Sequence, residues 1–582
     1  MALVPVVRGL RHASWWLAVL VVLGCGRGDD AASPSPSPAP LDEARATTFA
    51  TATSPRLPSP SPPSPSGRPA LPLSRTSDPA PTPPPDGSRF RREAAVDVLI
   101  TGGVVYDGSD GPALRADLVI DDGVVVHVGA VDPEQRADRR IDAAGRAVTP
   151  GFIDLHSHGA ADAPPDNFLR MGVTTICIGQ DGRSPTNEAT RTWIRRTSRE
   201  RLALNVAPFV GHGTVRNLTG VGASTDPSAA RVERMVREIE RDLDAGAWGL
   251  TTGLEYTPGR LASLDELVAI ARPVAAHDGV IMSHLRSEDD DAVEAAADEL
   301  IAQGERGGAR VHVAHIKVVY GKGAARAEAF LAQLQDARDR GVKVTADLYP
   351  YNASYTTISI VFPDFAKPPH DYNKVKRTRR EELATFLRTK VQRRGGPEAT
   401  LFGSDPFRGK TLAQVATAKD KPFEDVLIDD VGPGGASAAY FVMDDALQAR
   451  LARDKWVMFG TDGGPYSSHP RGYGAFAKVI QDYVVKRKLL SLGAAVHKMT
   501  GLAATTVGLD GIRRGRLAPG WAADVLIFDP AAVEARATYL RPRVYARGMD
   551  YVLINGRIVI DDGKSKKLRA GRLLLKSARA KE

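Results

Sequence analysis

Between residues 149 and 507 the chain repeats one arrangement: a short apolar run, polar residues at its end, then a stretch with helical apolar spacing. The runs are "GFIDLHSH", "TTICIGQD", "LNVAPFVGH", "WGLTTGL", "GVIMSHLRSE", "RVHVAHIK", "VKVTADLYPY" and "WVMFGTDG". Between them come segments such as "AARVERMVREIERDLDAG", "LDELVAIARPVAAHD" and "RAEAFLAQLQDARDRG", in which apolar residues return every three or four positions. Parallel strands need a crossover to return to the same edge, so this alternation marks parallel α/β architecture. Eight such units predict an α/β fold class, a (β/α)8 TIM-type barrel, with its functional residues at the C-terminal strand ends.

The polar residues fall where that fold needs them. The first run ends in His156 and His158, the second in Asp181 and the third in His212. His284, His315, Asp347 with Tyr349, and Asp462 close runs five to eight. Strand alternation points His156 and His158 to the same side, about 6 to 7 Å apart along the chain. A lone His-x-His is equally two polar residues where a strand meets water. Imidazoles and carboxylates at this many strand ends suit a borderline divalent ion such as zinc, with a position left open for water. His312 lies three before His315 and is expected to face away from it, against the outer helices. His127, His277, His370 and His497 lie outside the strand ends, where structural roles are expected. Cys177, inside the second run, is expected to be a buried small hydrophobe.

The flanks read differently. "DVLITGGVVYDG" and "ADLVIDDGVVVHVGAV" are short β-rich runs, and similar ones return in "ADVLIFDP" and "YVLINGRIVIDDG". Residues 96–148 and 508–563 therefore predict one small β-sandwich domain built from both chain ends. An unusually long connection, residues 353–454, interrupts the barrel between strands seven and eight. It is either a lid over the strand ends or a decorating subdomain.

Residues 1–24 carry Arg8 and Arg11, a short apolar core and then "VLGC", a pattern of signal peptides that also resembles a bacterial lipobox. Cys25 is then either the acylated first residue of an exported lipoprotein, giving membrane contact, or incidental. Residues 25–95 are rich in Pro and Ser and predict a disordered tether. The tail 564–582 holds eight Lys or Arg against one Glu, +7 of the net +8. The body is thus close to neutral, and a nucleic-acid partner is not expected. The tail itself is either a solvated end or a contact for anionic lipid. Two cysteines exclude a disulfide framework.

Over residues 96 to about 563 the chain resembles the amidohydrolase superfamily, and within it the D-aminoacylase (N-acyl-D-amino-acid deacylase) branch. The carriers are "PGFIDLHSH", "GHGTVR", "GLTTGLEYTPG", "SHLRSE", "AHIK", "DLYPY", "GTDG", "HPRGYGAF" and "KMTGLAATTVGLDGIRRGRLAPGWAADVLIFDP". The resemblance implies one metal position from His156, His158 and Asp462, and a second from His284 and His315. A residue of strand two bridges them. Where D-aminoacylases carry Cys in "GNCG", this chain reads "GQDG". Asp181 is thus either a carboxylate bridge or a helix-capping residue outside the metal shell, and the centre holds one or two Zn2+ ions.

The resemblance further implies that Asp462 takes the proton of the attacking water and gives it to the leaving amine, with His212 near the developing oxyanion. Lys317, Tyr349 and Arg471 clasp the substrate α-carboxylate, and Arg286 pairs with Glu288 in support. Tyr355 stands where the family has a serine. The implied reaction is hydrolysis of an N-acyl-D-amino acid, or of an Xaa-D-amino acid dipeptide, to a carboxylate and a free D-amino acid. Two alternatives remain: a hydrolase of cyclic amides or imides, and a metal-binding surface protein without catalysis.

Overall fold

The computed structural model describes residues 71–83 and 89–576. The chain divides into two units, Met1–Arg68 and Pro69–Glu582, and the described residues all belong to the second. The signal-peptide and lipobox readings, Cys25 and most of the Pro-rich stretch lie outside them.

Two parallel sheets position the candidate site. One pairs Phe152–Asp154, Val173–Ile178 and Asn205–Pro208. The other has six strands, running from Val210–Gly211 through Gly249–Gly253, Val280–His284, Arg310–Val313 and Val344–Leu348 to Val457–Phe459. Asn205–Pro208 and Val210–Gly211 are separated only by Phe209. At the far edges a parallel bridge joins Ser157 to Gly463, and the Asp462 N–H donates to the His156 carbonyl at 2.9 Å.

The strands are buried apart from Arg310 and Thr345, as "VTTICI" at residues 173–178 illustrates, which is why they read as continuous apolar runs. The crossover helices bury one stripe. In Leu264–Ala276 the inward residues include Leu267, Ile270, Ala271 and Val274, and Ser263 caps the first turn by accepting from the Glu266 N–H.

A nine-stranded mixed sheet draws on both flanks, with Ala147–Pro150 pairing antiparallel to Val525–Phe528. Residues 353–454 contain a three-stranded antiparallel sheet of Ser354–Thr357, Ser437–Tyr440 and Thr400–Phe402.

The structure corrects two expectations about the chain ends. Part of the predicted tether is fixed in place: Ser74 donates to Arg453, Lys455 to Pro72 and Ser491 to Arg75 at 2.8 to 3.1 Å, and Asp78 accepts from Gly493 at the start of a helix. Here the chain supplies Leu71 to the core and hydrogen-bonding groups to neighbouring loops. The described part of the basic tail is likewise no solvated end. Gly571 and Leu574 donate to Leu202 and Val206, and Trp248 Nε1 donates to the Leu574 carbonyl at 2.8 Å. The apolar residues Leu573, Leu574 and Leu575 explain this better than the flanking charges do.

Candidate metal centre

His156 and His158 leave the strand Phe152–Asp154 at its C-terminal end, opposite Asp462 and Gly463. His156 Nε2 lies 3.5 Å from Asp181 Oδ1 and 3.7 Å from Asp462 Oδ1. His158 Nε2 lies 3.3 Å from Asp181 Oδ2 and 3.1 Å from Asp462 Oδ1. On the other side of Asp181, His284 Nδ1 and His315 Nε2 are 2.9 Å apart. Asp181 Oδ1 is 4.0 and 3.7 Å from those two nitrogens. Asp181 therefore faces all four imidazoles, with Oδ2 toward His158 and Oδ1 toward the other three.

The backbone is bent to achieve this. Asp181, His315 and Asp462 have φ of 52°, 36° and 46°, a left-handed conformation that side chains other than glycine adopt at a cost of order 1 kcal/mol. Each turn swings a side chain off the end of its strand and into the common space. Close approach serves the same end at Gly463, where a Cβ would sit 2.8 Å from the Gly472 backbone. That contact brings Arg471 to Asp462, with Nη1 2.6 Å from Oδ2.

The residues fit a divalent cation. His156 Nδ1 and Nε2 and Asp181 Oδ1 are buried without a hydrogen-bond partner, a costly state unless something else satisfies them. One atom each from His156, Asp181, His315 and Asp462 falls within 4.8 Å of the others, and the same holds for His284, Glu288 and His315. Imidazole nitrogens and carboxylate oxygens are the donor set that zinc takes.

Charge supports the same grouping. Burial pushes the Asp181 and Asp462 carboxyls up, but the imidazoles, and at Asp462 above all Arg471, outweigh it and hold both low. Burial lowers His158, yet Asp181 and Asp462 bring it up to about 9.

Carboxylates also face the outer nitrogens of three of the imidazoles. Glu255 Oε2 is 3.1 Å from His284 Nε2, Glu288 Oε1 is 3.0 Å from His315 Nδ1, and Asp347 Oδ2 is 3.7 Å from His156 Nδ1. Such partners fix ring orientation and tautomer in metal sites.

Two residues expected at the site do not join it. His212 is the first residue of the helix His212–Leu218, buried, with Nε2 2.8 Å from Glu266 Oε1, which also receives Arg216. The helix start directs the imidazole toward the crossover helix Leu264–Ala276, and His212 does not line the cavity described below. Arg286 binds Glu299 and the carbonyls of Arg260 and Ala262, so it neither lines the cavity nor pairs with Glu288. That carboxylate pairs with Lys317 at 2.6 Å.

His312 is corrected as well. Its Nε2 meets Asp347 Oδ2 at 2.7 Å and its Nδ1 meets Thr345 Oγ1 at 2.8 Å. The strand stops at Val313 and the chain turns at His315, so alternation cannot be counted from one histidine to the other.

A cavity of about 820 Å3 opens onto this cluster. His158, Asp181, His284, His315 and Asp462 line it, together with Lys317, Tyr349 and Arg471. Tyr349 Oη is buried without a partner, and the Arg471 guanidinium lies 4.6 Å over its ring. The far wall comes from the 353–454 insertion, including Ser354–Thr357, Lys367, His370 and Ser437. His370 is thus a cavity residue and not a purely structural one.

Sequence reasoning also passed over Glu255, Tyr256 and Arg183, which line the cavity. A signal existed for Glu255, since "GLEYTPG" places a carboxylate just past the end of Gly249–Gly253.

The model of a family described as the amidohydrolase family matches residues 139–560. The chain is 34% identical over 509 residues to an N-acyl-D-glutamate deacylase of Alcaligenes xylosoxydans xylosoxydans, covering 83% of this chain and 97% of that protein. It is 30% identical over 521 residues to a D-aminoacylase of the same organism, covering 83% and 98%. Among solved structures, the N-acyl-D-glutamate deacylase of Bordetella bronchiseptica, complexed with zinc and a phosphonate mimic of the tetrahedral intermediate, superposes with a TM-score of 0.69. It is 31% identical and is covered in full by 83% of this chain.

Proposed function

Because the chain belongs to the amidohydrolase family, we propose that its parallel sheets close as a (β/α)8 barrel and that it hydrolyses N-acyl-D-amino acids to a carboxylate and a free D-amino acid. The observation that carries this reading is the convergence of four imidazoles on Asp181, with Asp462 and Arg471 beside them in one cavity. The relatives' printed activities supply the substrate class.

His156, His158, Asp181 and Asp462 would hold one zinc ion, and His284, His315 and Asp181 a second. An ion bound there lowers the pKa of water and polarises the amide carbonyl. Asp462 accepts the attacking water's proton and delivers it to the leaving amine, a base turned acid. Tyr349 Oη, unpartnered in its buried position, donates to the substrate α-carboxylate. Arg471 and Lys317 supply the charge there, Arg471 with a planar fork suited to a carboxylate.

An acidic side chain suits the cavity best. Of the cavity cations not assigned to the α-carboxylate, Arg260 and Lys367 face Asp364. Exposed Arg183 has no carboxylate at ion-pair distance among the described residues, so its guanidinium is available to a second substrate carboxylate.

Zinc analysis of the purified protein and turnover of N-acetyl-D- against N-acetyl-L-amino acids test the reading. Hydrolysis of a hydantoin with no turnover of any acylated amino acid overturns it. From the opening segment we further propose an exported lipoprotein acylated on Cys25, a reading that rests on Arg8, Arg11, the short apolar core and "VLGC". Mass spectrometry finding no lipid on Cys25 refutes it.

A further inference from the structure

The sheet register puts Glu255 beside His284. Gly253 pairs with His284, and the Leu254 N–H donates to the His284 carbonyl at 3.0 Å. The next residue, Glu255, then reaches His284 Nε2 with its Oε2 at 3.1 Å. Its neighbour Tyr256 lays its ring 4.6 Å from the His284 ring, and its hydroxyl is held by Thr356 Oγ1 at 3.0 Å. The imidazole is gripped at one nitrogen and on one face.

A neutral imidazole has one N–H and one lone pair, and the nitrogen that faces a carboxylate keeps the proton. Glu255 has no ion-pair partner among the described residues other than His284, so surface charge balance does not explain it. At His315 the outer nitrogen is contested, with Glu288 Oε1 at 3.0 Å and the Lys317 ammonium at 2.7 Å. At His284 it belongs to Glu255 alone.

We infer that Glu255 is a positioning residue that accepts the Nε2–H of His284, fixes that tautomer and thereby commits the Nδ1 lone pair to the ion shared with His315 and Asp181. This rests on the metal-hydrolase reading above.

The test uses the full chain with Glu255→Leu and Glu255→Gln, measuring zinc affinity by chelator competition and the visible spectrum of the cobalt-substituted protein. Loss of an outer partner weakens metal affinity by about 10- to 100-fold, and that loss is expected for Glu255→Leu with a changed cobalt spectrum. Glu255→Gln, whose amide oxygen still accepts the Nε2–H, is expected to recover most of the affinity. Melting of the metal-free proteins should not separate the three. Wild-type affinity in Glu255→Leu, or Glu255→Gln as weak as Glu255→Leu, overturns the inference while the metal reading stands. A wild-type chain that binds no divalent ion overturns both.

Discussion

The two ends of the parallel strands put buried polar side chains to opposite uses. At the N-terminal end a buried polar network satisfies its side-chain atoms except Asn555 Oδ1. Asp524 accepts from Asn205 at 2.9 Å, Arg514 at 2.6 Å and the Asn555 N–H at 2.8 Å, while Asn555 Nδ2 donates to Asn205 and Ala570. At the C-terminal end, buried polar atoms of His156 and Asp181 lack partners, and three of the gathered residues sit at positive φ. A network satisfied almost throughout by its own side chains holds the fold together. Open polar atoms on bent backbone are tolerated where a ligand completes them.

That contrast can be broken by experiment. Removal of divalent ions by a chelator should abolish amide hydrolysis, and zinc should restore it; undiminished turnover in a protein verified metal-free would erase the distinction. Replacing Asp462 by Asn should lower kcat by about 100- to 10,000-fold, the range for a general acid–base group. A large fall in Tm with kcat intact would make Asp462 part of the scaffold.

The N-terminal end should respond the other way. Asp524→Ala strands buried Arg514 and should cost about 3–5 kcal/mol of stability, read by denaturant unfolding, with activity per folded molecule retained. The smallest effect is reserved for Arg183. Its replacement by Ala should raise KM for N-acetyl-D-glutamate about tenfold, the equivalent of about 1.4 kcal/mol, and leave N-acetyl-D-methionine unchanged. Equal changes for both would move Arg183 to the α-carboxylate.

The alternation of runs and helices, and the polar residues closing the runs, were legible in the sequence because burial and chemistry both act on residue type. Six of the residues singled out there, His156, His158, Asp181, His284, His315 and Asp462, come together in space. What failed was direction. His212 ends a run as the others do, but the chain enters a helix at that residue and carries the imidazole to Glu266. Parity along a strand misplaced His312 because a left-handed turn intervenes before His315. Arg286 and Glu288 lie two apart on one motif yet find different partners, Glu299 and Lys317. Turn geometry after a strand depends on long-range packing, and spacing alone does not encode it.

The nine-stranded sheet has a consequence for biosynthesis. Ala147–Pro150 takes Val525–Phe528 as a neighbour, and that segment in turn needs Met549–Ile554. A nascent chain emerging from the ribosome exposes the Ala147–Pro150 edge until Val525–Phe528 has been made. Such an open edge invites wrong pairing. This sheet therefore closes late in synthesis, and truncations short of Ile554 should partition to aggregates or chaperones instead of yielding a smaller working enzyme.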